Sequence, residues 1–269
     1  MTAKPNHLRG SLSRAFLVCM MTGASLPAKE AASGKGEGQF PQGDLRVTET
    51  ELKFPGLVID RETQEIRMDA TVCLDSGILE YVVCRKGTFE HESIFVTEVK
   101  AEILHTALLL VGLEPFPMTG GLKETWWRSA RKAEKSLLRI DVEWAIGDSV
   151  VRENIANMFR RNTGNSEASA DGERGGFRED VPEGVSSAWV FTGSKLRMLD
   201  NGERHYTADS VGTVVGIWAN QNSVIQYGKK TLNPYRGKNQ GMAVNEYYVP
   251  ELGTKVQLVF SKYTPFDAE

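Results

Sequence analysis

Apolar and polar residues alternate in short runs along most of the chain. Leu57-Val58-Ile59, Ile66 to Leu74, Ile78 to Cys84 and Ile94 to Val96 follow one another, separated by Asp60-Arg61, Asp75-Ser76-Gly77 and Lys86-Gly87. A period of two broken by turn-forming residues predicts short antiparallel strands, with a hairpin about Asp75-Ser76-Gly77. The second half repeats the pattern at Leu137 to Trp144, Ala188 to Thr192, Thr213 to Trp218 and Lys255 to Phe260, with turns at Gly147-Asp148 and Asp200-Asn201-Gly202.

One segment departs from this period. Val99, Ile103, Leu104, Ala107, Leu108 and Val111 recur at helical spacing, with Thr97 as the expected N-cap and Gly112 as the stop. Pro115 and Pro117 forbid continuation. The expected class is therefore α+β, mainly antiparallel β-sheet with one principal amphipathic helix at about 98–112.

The beginning of the chain has a different grammar. Lys4, Arg9 and Arg14 precede the apolar run from Ala15 to Met21, and small residues follow at Gly23, Ala24, Ser25 and Ala28. This is the pattern of a signal peptide over residues 1–28, and it predicts an exported protein, periplasmic or attached to the cell surface. Phe16-Leu17-Val18 before Cys19 does not suit a lipoprotein, which needs a small residue there. Residues 29–44 read as a flexible spacer, 45–265 as the folded domain, and 162–184, rich in Asn, Ser, Glu, Gly and Asp, as a flexible insertion.

The formal charge is -3, and loss of the leader's three cations, with no acid among residues 1–28, makes it -6. That balance argues against nucleic acid as a partner, although Lys123 to Arg139 sets Trp126 and Trp127 among basic residues. Stacking on a sugar, a partner protein or the rest of the domain suits that aromatic pair better, and the expected partner of the chain is a small molecule or an envelope protein. After the leader no segment is apolar for long enough to form a transmembrane helix.

Candidate chemistry concentrates between Cys73 and His105, which hold both cysteines and two of the three histidines beyond the leader. A disulfide is the first expectation for two cysteines in an exported chain. The expected hairpin opposes it, placing the thiols on opposite faces or about 13 Å apart along the strand, beyond the reach of a disulfide. Arg85 and Lys86 beside Cys84 would favour its thiolate; a buried, inert thiol is the alternative. Glu90-His91-Glu92-Ser93 sets an imidazole between carboxylates at a strand start. Cys84, His91 and His105 are the candidate ligands of a transition metal such as zinc, although their spacing matches no standard zinc signature. The candidate functional cluster is Glu80, Cys84, Glu90, His91, Glu92, Ser93 and His105, gathered where hairpin, strand start and helix meet.

Gly77-Ile78-Leu79-Glu80, Cys84, Glu90-His91-Glu92-Ser93, His105 and Leu108 to Pro115 resemble the YdjY-type domain family of bacterial exported proteins. The likeness continues through Ser187 to Ser194 and His205 to Asp209. What it implies is an exported domain of unknown function. A ferredoxin-like label borne by some members does not suit this chain, since an iron–sulfur cluster of the usual kind needs four thiolates. No cofactor is expected. The leading expectation is a non-enzymatic binding or envelope-associated module; the competing one is an enzyme with Cys84 as nucleophile and His91 as base, or a periplasmic metal-binding protein.

Overall fold

A computed structural model describes residues 45–117, 129–130, 133–162, 189–218, 220–229, 231 and 241–263. The expected leader and spacer, the Trp126-Trp127 pair and the insertion from 163 onward lie outside them. The strands in chain order are β1 Arg46–Val47, β2 Glu51–Phe54, β3 Leu57–Asp60, β4 Ile66–Val72, β5 Ile78–Leu79, β6 Tyr81–Arg85 and β7 Ser93–Thr97. Helix α1, Ala101–Leu110, follows, and then β8 Leu137–Ile146, β9 Ser149–Asn154, β10 Phe159–Arg161, β11 Trp189–Phe191, β12 Leu196–Met198 and β13 Arg204–Tyr206. Helix α2, Thr207–Val211, leads into β14 Thr213–Gly216, β15 Ile225–Tyr227, β16 Met242–Val244 and β17 Lys255–Lys262.

Eight of these strands close a ring. In order they are β4, β17, β8, β11, β15, β14, β6 and β7, and β7 pairs back with β4 through Thr71 opposite Val96 and Val72 opposite Phe95. The fold is thus mostly β, a closed eight-stranded barrel, and the expected α+β sheet with a principal amphipathic helix is incorrect. Closure is what alternation alone does not disclose, because it depends on pairings between strands far apart in sequence. Two pairings between consecutive strands of the ring are parallel, β6 with β7 and β14 with β15.

The expected hairpin at Asp75-Ser76-Gly77 does not form either. The run from Ile78 to Cys84 divides at Glu80: β5 joins β16 and β10 in a separate small sheet, while β6 enters the barrel between β14 and β7. β4 and β6 therefore never pair, and β7 lies between them. The premise that kept Cys73 from Cys84 is removed.

Alternation does explain the barrel wall. Ile66, Met68, Ala70 and Val72 of β4 are buried while Arg67, Asp69 and Thr71 face out, and Leu138, Ile140, Val142, Leu258 and Phe260 fill the interior from β8 and β17. Trp189 and Phe191 of β11 join this core; Trp189 packs its ring 5.0 Å from Tyr227 and 6.0 Å from Phe159. Outside, Arg67, Arg139 and Arg152 interlock with Glu65, Glu143 and the buried carboxylate of Asp141.

Helix α1 adds Leu104, Ala107 and Leu108 to the barrel core. Thr97 is not its cap: the Thr97 hydroxyl donates to the Asp69 carbonyl at 2.7 Å. The free N–H groups of the first turn go to the Asp209 carboxylate instead, from Ala101 at 2.7 Å and Glu102 at 3.1 Å. Gly112, at φ +85, ends the helix as its spacing predicts.

Candidate functional site

The β6–β7 connection, residues 86–92, folds over the outside of its own two strands and carries the Glu90–Glu92 turn. Beneath it Cys84 is fully buried, opposite Val96 on β7 and Thr213 on β14. The Cys84 sulfur is set beside the Cys73 thiol, Ser93 and the Phe89 backbone N–H, while the buried Ser93 hydroxyl itself has no hydrogen-bond partner among the described residues. Cys73 arrives from the far side of β7, where its thiol donates towards the carbonyl oxygens of Ser93 at 3.1 Å and Ile94 at 3.4 Å. Two thiols on either side of β7 thus meet beside Ser93.

Their acidities diverge for stated reasons. Contact with the Cys73 thiol holds the Cys84 thiol below its ordinary value, helped by Ser93 and Phe89 and opposed by burial. Cys73 is pushed the other way by the same contact, by burial and by the nearby Glu90 charge. One sulfur is favoured as thiolate and the other as thiol. For Glu90, burial acts upward, but the N–H of Gly87 and its other backbone hydrogen bonds outweigh it and keep the carboxyl ionised below its usual range.

A second polar group lies at the other end of β6. Glu80 is buried, its N–H donates to the Glu92 carbonyl at 3.2 Å, and its carbonyl accepts from Ile217 and Trp218. The neighbouring Tyr81 hydroxyl accepts from Asn220 Nδ2 at 2.9 Å, and burial raises its pKa to about 12. Asn220 in turn bonds the buried Gln226 side chain through both its N–H and its carbonyl. This network ties β6 to the segment before β15, and its members serve one another.

The histidines do not join the thiols. His91 turns outward, its side chain 76% exposed, with Nε2 3.9 Å from a Glu92 carboxylate oxygen. His105, on α1, bonds the Tyr206 hydroxyl at 2.7 Å through Nδ1 and sets its ring edge-on to Phe191 at 4.9 Å. Burial lowers its pKa. The Tyr206 hydroxyl also accepts from the Ser194 N–H at 3.3 Å. Gly193, at φ +57, lets the chain pass close to this ring, since a Cβ there would stand 3.0 Å from His105 Cε1.

Of the expected cluster, the structure therefore brings Cys84, Ser93 and Glu90 together, places Glu80 and Glu92 at the other end of β6, and sends His91 and His105 elsewhere. Cys84, His91 and His105 are not arranged as one metal site, and no group of three His, Cys, Asp or Glu side chains among the described residues is placed to hold an ion. The proposed Cys84–His91 dyad is not assembled: the sulfur is buried among other partners and the imidazole faces solvent. Cys73 was absent from the expected cluster. The signal that points to it is the pair of cysteines itself, which the expected hairpin keeps apart.

A cleft of about 1130 Å³ opens on the outer wall. Val96, which faces both Thr71 and Cys84 across its two neighbouring strands, lies in its lining, and Glu90 stands at its edge. Trp144, Lys255 and Asp69 contribute an aromatic surface, an ammonium group and a carboxylate. No signature at residue level singled out this cleft, because its lining comes from β4, β7, β8, β9 and β17 at once.

No curated protein and no solved structure matches the chain. The YdjY domain profile matches residues 57–261, from β3 to within β17 and so across the barrel, and the chain belongs to the YdjY domain family.

Proposed function

We propose that this protein is an exported, non-enzymatic binding module of the cell envelope that takes a small polar ligand in the cleft over β4, β7, β8 and β17. The cleft is the observation that carries the reading. Its size suits a small molecule, and its lining mixes a partly buried indole with groups that can donate and accept hydrogen bonds. Lys255 spends one donor on Thr71 at 3.0 Å, and Asp69 Oδ1 takes only a 3.3 Å bond from Gln257, so both have capacity for a ligand. An aromatic face beside such groups fits a polyhydroxylated molecule of the sugar class. The leader-like N-terminus supports export, and the separation of Cys84 from His91 favours binding over nucleophilic catalysis.

The test begins with native mass spectrometry of protein isolated from the envelope fraction, followed by calorimetric titration with neutral and charged monosaccharides. Saturable binding, weakened at least tenfold by Trp144→Ala and by Lys255→Ala in folded protein, is the expected result. Binding unaffected by both substitutions would move the ligand elsewhere. Protein found only in the cytoplasm, with no retained or added ligand, would overturn the proposal.

A further inference from the structure

We infer that Cys73 and Cys84 form a dithiol–disulfide couple, a redox site at the rim of the barrel. The geometry is a convergence beside Ser93: the Cys73 thiol lies 3.1 Å from the Ser93 carbonyl oxygen, and the Cys84 sulfur on β6 meets the Cys73 thiol from the other side of β7. Both thiols are free, and they differ in access, since Cys84 is fully buried while Cys73 is half-buried. An oxidant therefore meets Cys73 first.

Closing the bond requires the backbones to approach, because a disulfide spans Cα separations up to about 7 Å and β7 stands between the two. The partner outside the regular ladder is Cys73. It lies just past the end of β4, where the N–H groups of Cys73 and Leu74 share the Ile94 carbonyl at 2.8 and 3.4 Å in place of a regular ladder. The chain beyond runs through the exposed Ser76 and Gly77, where a Cβ added at Gly77 would meet open space, before β5 is anchored by the Val244 N–H donating to the Gly77 carbonyl at 2.9 Å. Cys84, in contrast, is held between β7 and β14. A shift of residues 73–76 towards β6 would give up the two bonds to the Ile94 carbonyl and close the pair with the β4–β7 and β5–β16 pairings intact.

The chemistry balances with a disulfide as oxidant. The Cys73 sulfur, its proton passed to the neighbouring Cys84 thiolate, attacks the disulfide RSSR, forming a mixed disulfide and releasing RS⁻, which takes that proton from Cys84 and leaves as RSH. The Cys84 thiolate then attacks the Cys73 sulfur, forming the Cys73–Cys84 bond and releasing a second RS⁻ that water protonates. The pair loses two electrons and its one proton, and the second RSH takes its proton from water. The thiolate character that Cys84 gains from its surroundings suits it to the second step, the resolving attack.

The experiment uses the full chain carrying Cys19→Ser, so that only the two barrel thiols remain. The protein is equilibrated with oxidised and reduced glutathione at graded ratios, quenched with acid, unfolded, alkylated with N-ethylmaleimide and mapped by mass spectrometry. The expected result is loss of both alkylation sites together, appearance of one Cys73–Cys84 linked peptide, and recovery of both thiols with dithiothreitol. Cys84→Ser should instead stop at a glutathione adduct on Cys73, accumulating at least tenfold above the unsubstituted pair. Should that variant not fold, the linked peptide in the unsubstituted pair is decisive alone. Two thiols still alkylated under the most oxidising ratio, or Cys73–glutathione that Cys84 never displaces, would overturn the inference.

Discussion

Nδ1 of His105 lies 2.7 Å from the hydroxyl oxygen of Tyr206, joining α1 to the end of β13 across 101 residues of sequence. The same hydroxyl accepts from the Ser194 N–H, and the imidazole edge rests on Phe191. This makes His105 a bonded structural plug. Tyr206→Phe removes the hydroxyl and leaves the ring, so it should cost about 1–2 kcal/mol, the value of a hydrogen bond with one buried partner left unmade. Urea unfolding at unchanged m-value would measure it. A loss under about 0.3 kcal/mol would show that the contact carries no stability.

The same residue sets a pH dependence. Burial depresses the folded-state pKa of His105 below its unfolded value of 6.5, so the unfolded chain takes up the proton first. Stability is fully present above that unfolded value and is lost as pH falls below it, down to the depressed folded value. His105→Gln cannot titrate. Between pH 7.5 and pH 5 the urea midpoint of the variant should therefore fall less than that of the unsubstituted protein; equal slopes would reject the assignment.

His91 shows how far residue types alone can mislead. The Glu90-His91-Glu92-Ser93 string looks like a prepared site, yet it forms a short turn that points the carboxylate of Glu90 back to Gly87, buries Ser93 and turns the imidazole to water. His91→Ala should change stability by less than about 0.5 kcal/mol, as an exposed side chain without strong partners does. A loss of 2 kcal/mol or more would contradict this placement.

What could be read in advance was local. Most strand positions follow from alternation, and the helical period expected over about 98–112 is realised only at Ala101–Leu110. What could not be read was partnership. Ile78 to Cys84 is apolar enough for one strand, but Glu80 divides it between two sheets, and β6 then pairs in parallel with β7 after a connection of only residues 86–92. Hairpin logic favours the nearest antiparallel partner. With that single assumption gone, Cys73 meets Cys84, Thr97 loses its capping role to Asp209, and an open sheet becomes a closed barrel.

Asp209 carries two loads. Its carboxylate receives both first-turn N–H groups of α1, and it lies 3.2 Å from Arg85, whose guanidinium also donates to the Asp209 carbonyl at 3.0 Å. Asp209→Ala should destabilise by about 1–3 kcal/mol, combining a lost helix cap with a partner left behind. Asp209→Asn keeps one acceptor oxygen and should lose less. Chemical denaturation of both variants gives the comparison, and an Asn variant as unstable as Ala would remove the cap from the argument.

Asp141 is the buried member of the outer ion network, its side chain 2% exposed, while Arg139 and Arg152 beside it are each 38% exposed. Removing the acid and removing the bases are therefore not equivalent. After Asp141→Val, Arg152 still has Glu65 at 2.9 Å and Glu143 at 3.2 Å, and both arginines remain open to water. The apolar substitute also suits a β-strand, so the loss should be about 1 kcal/mol or less. Replacing Arg139 and Arg152 together by Met strands a carboxylate that burial keeps from water, and this should cost about 3–5 kcal/mol. The triple variant with Asp141→Val should then recover most of that loss, since the uncompensated charge is gone. Urea midpoints of the three proteins decide the point: if Asp141→Val proves the more damaging change, the network is held together by the acid's attraction and not by the cost of burying it.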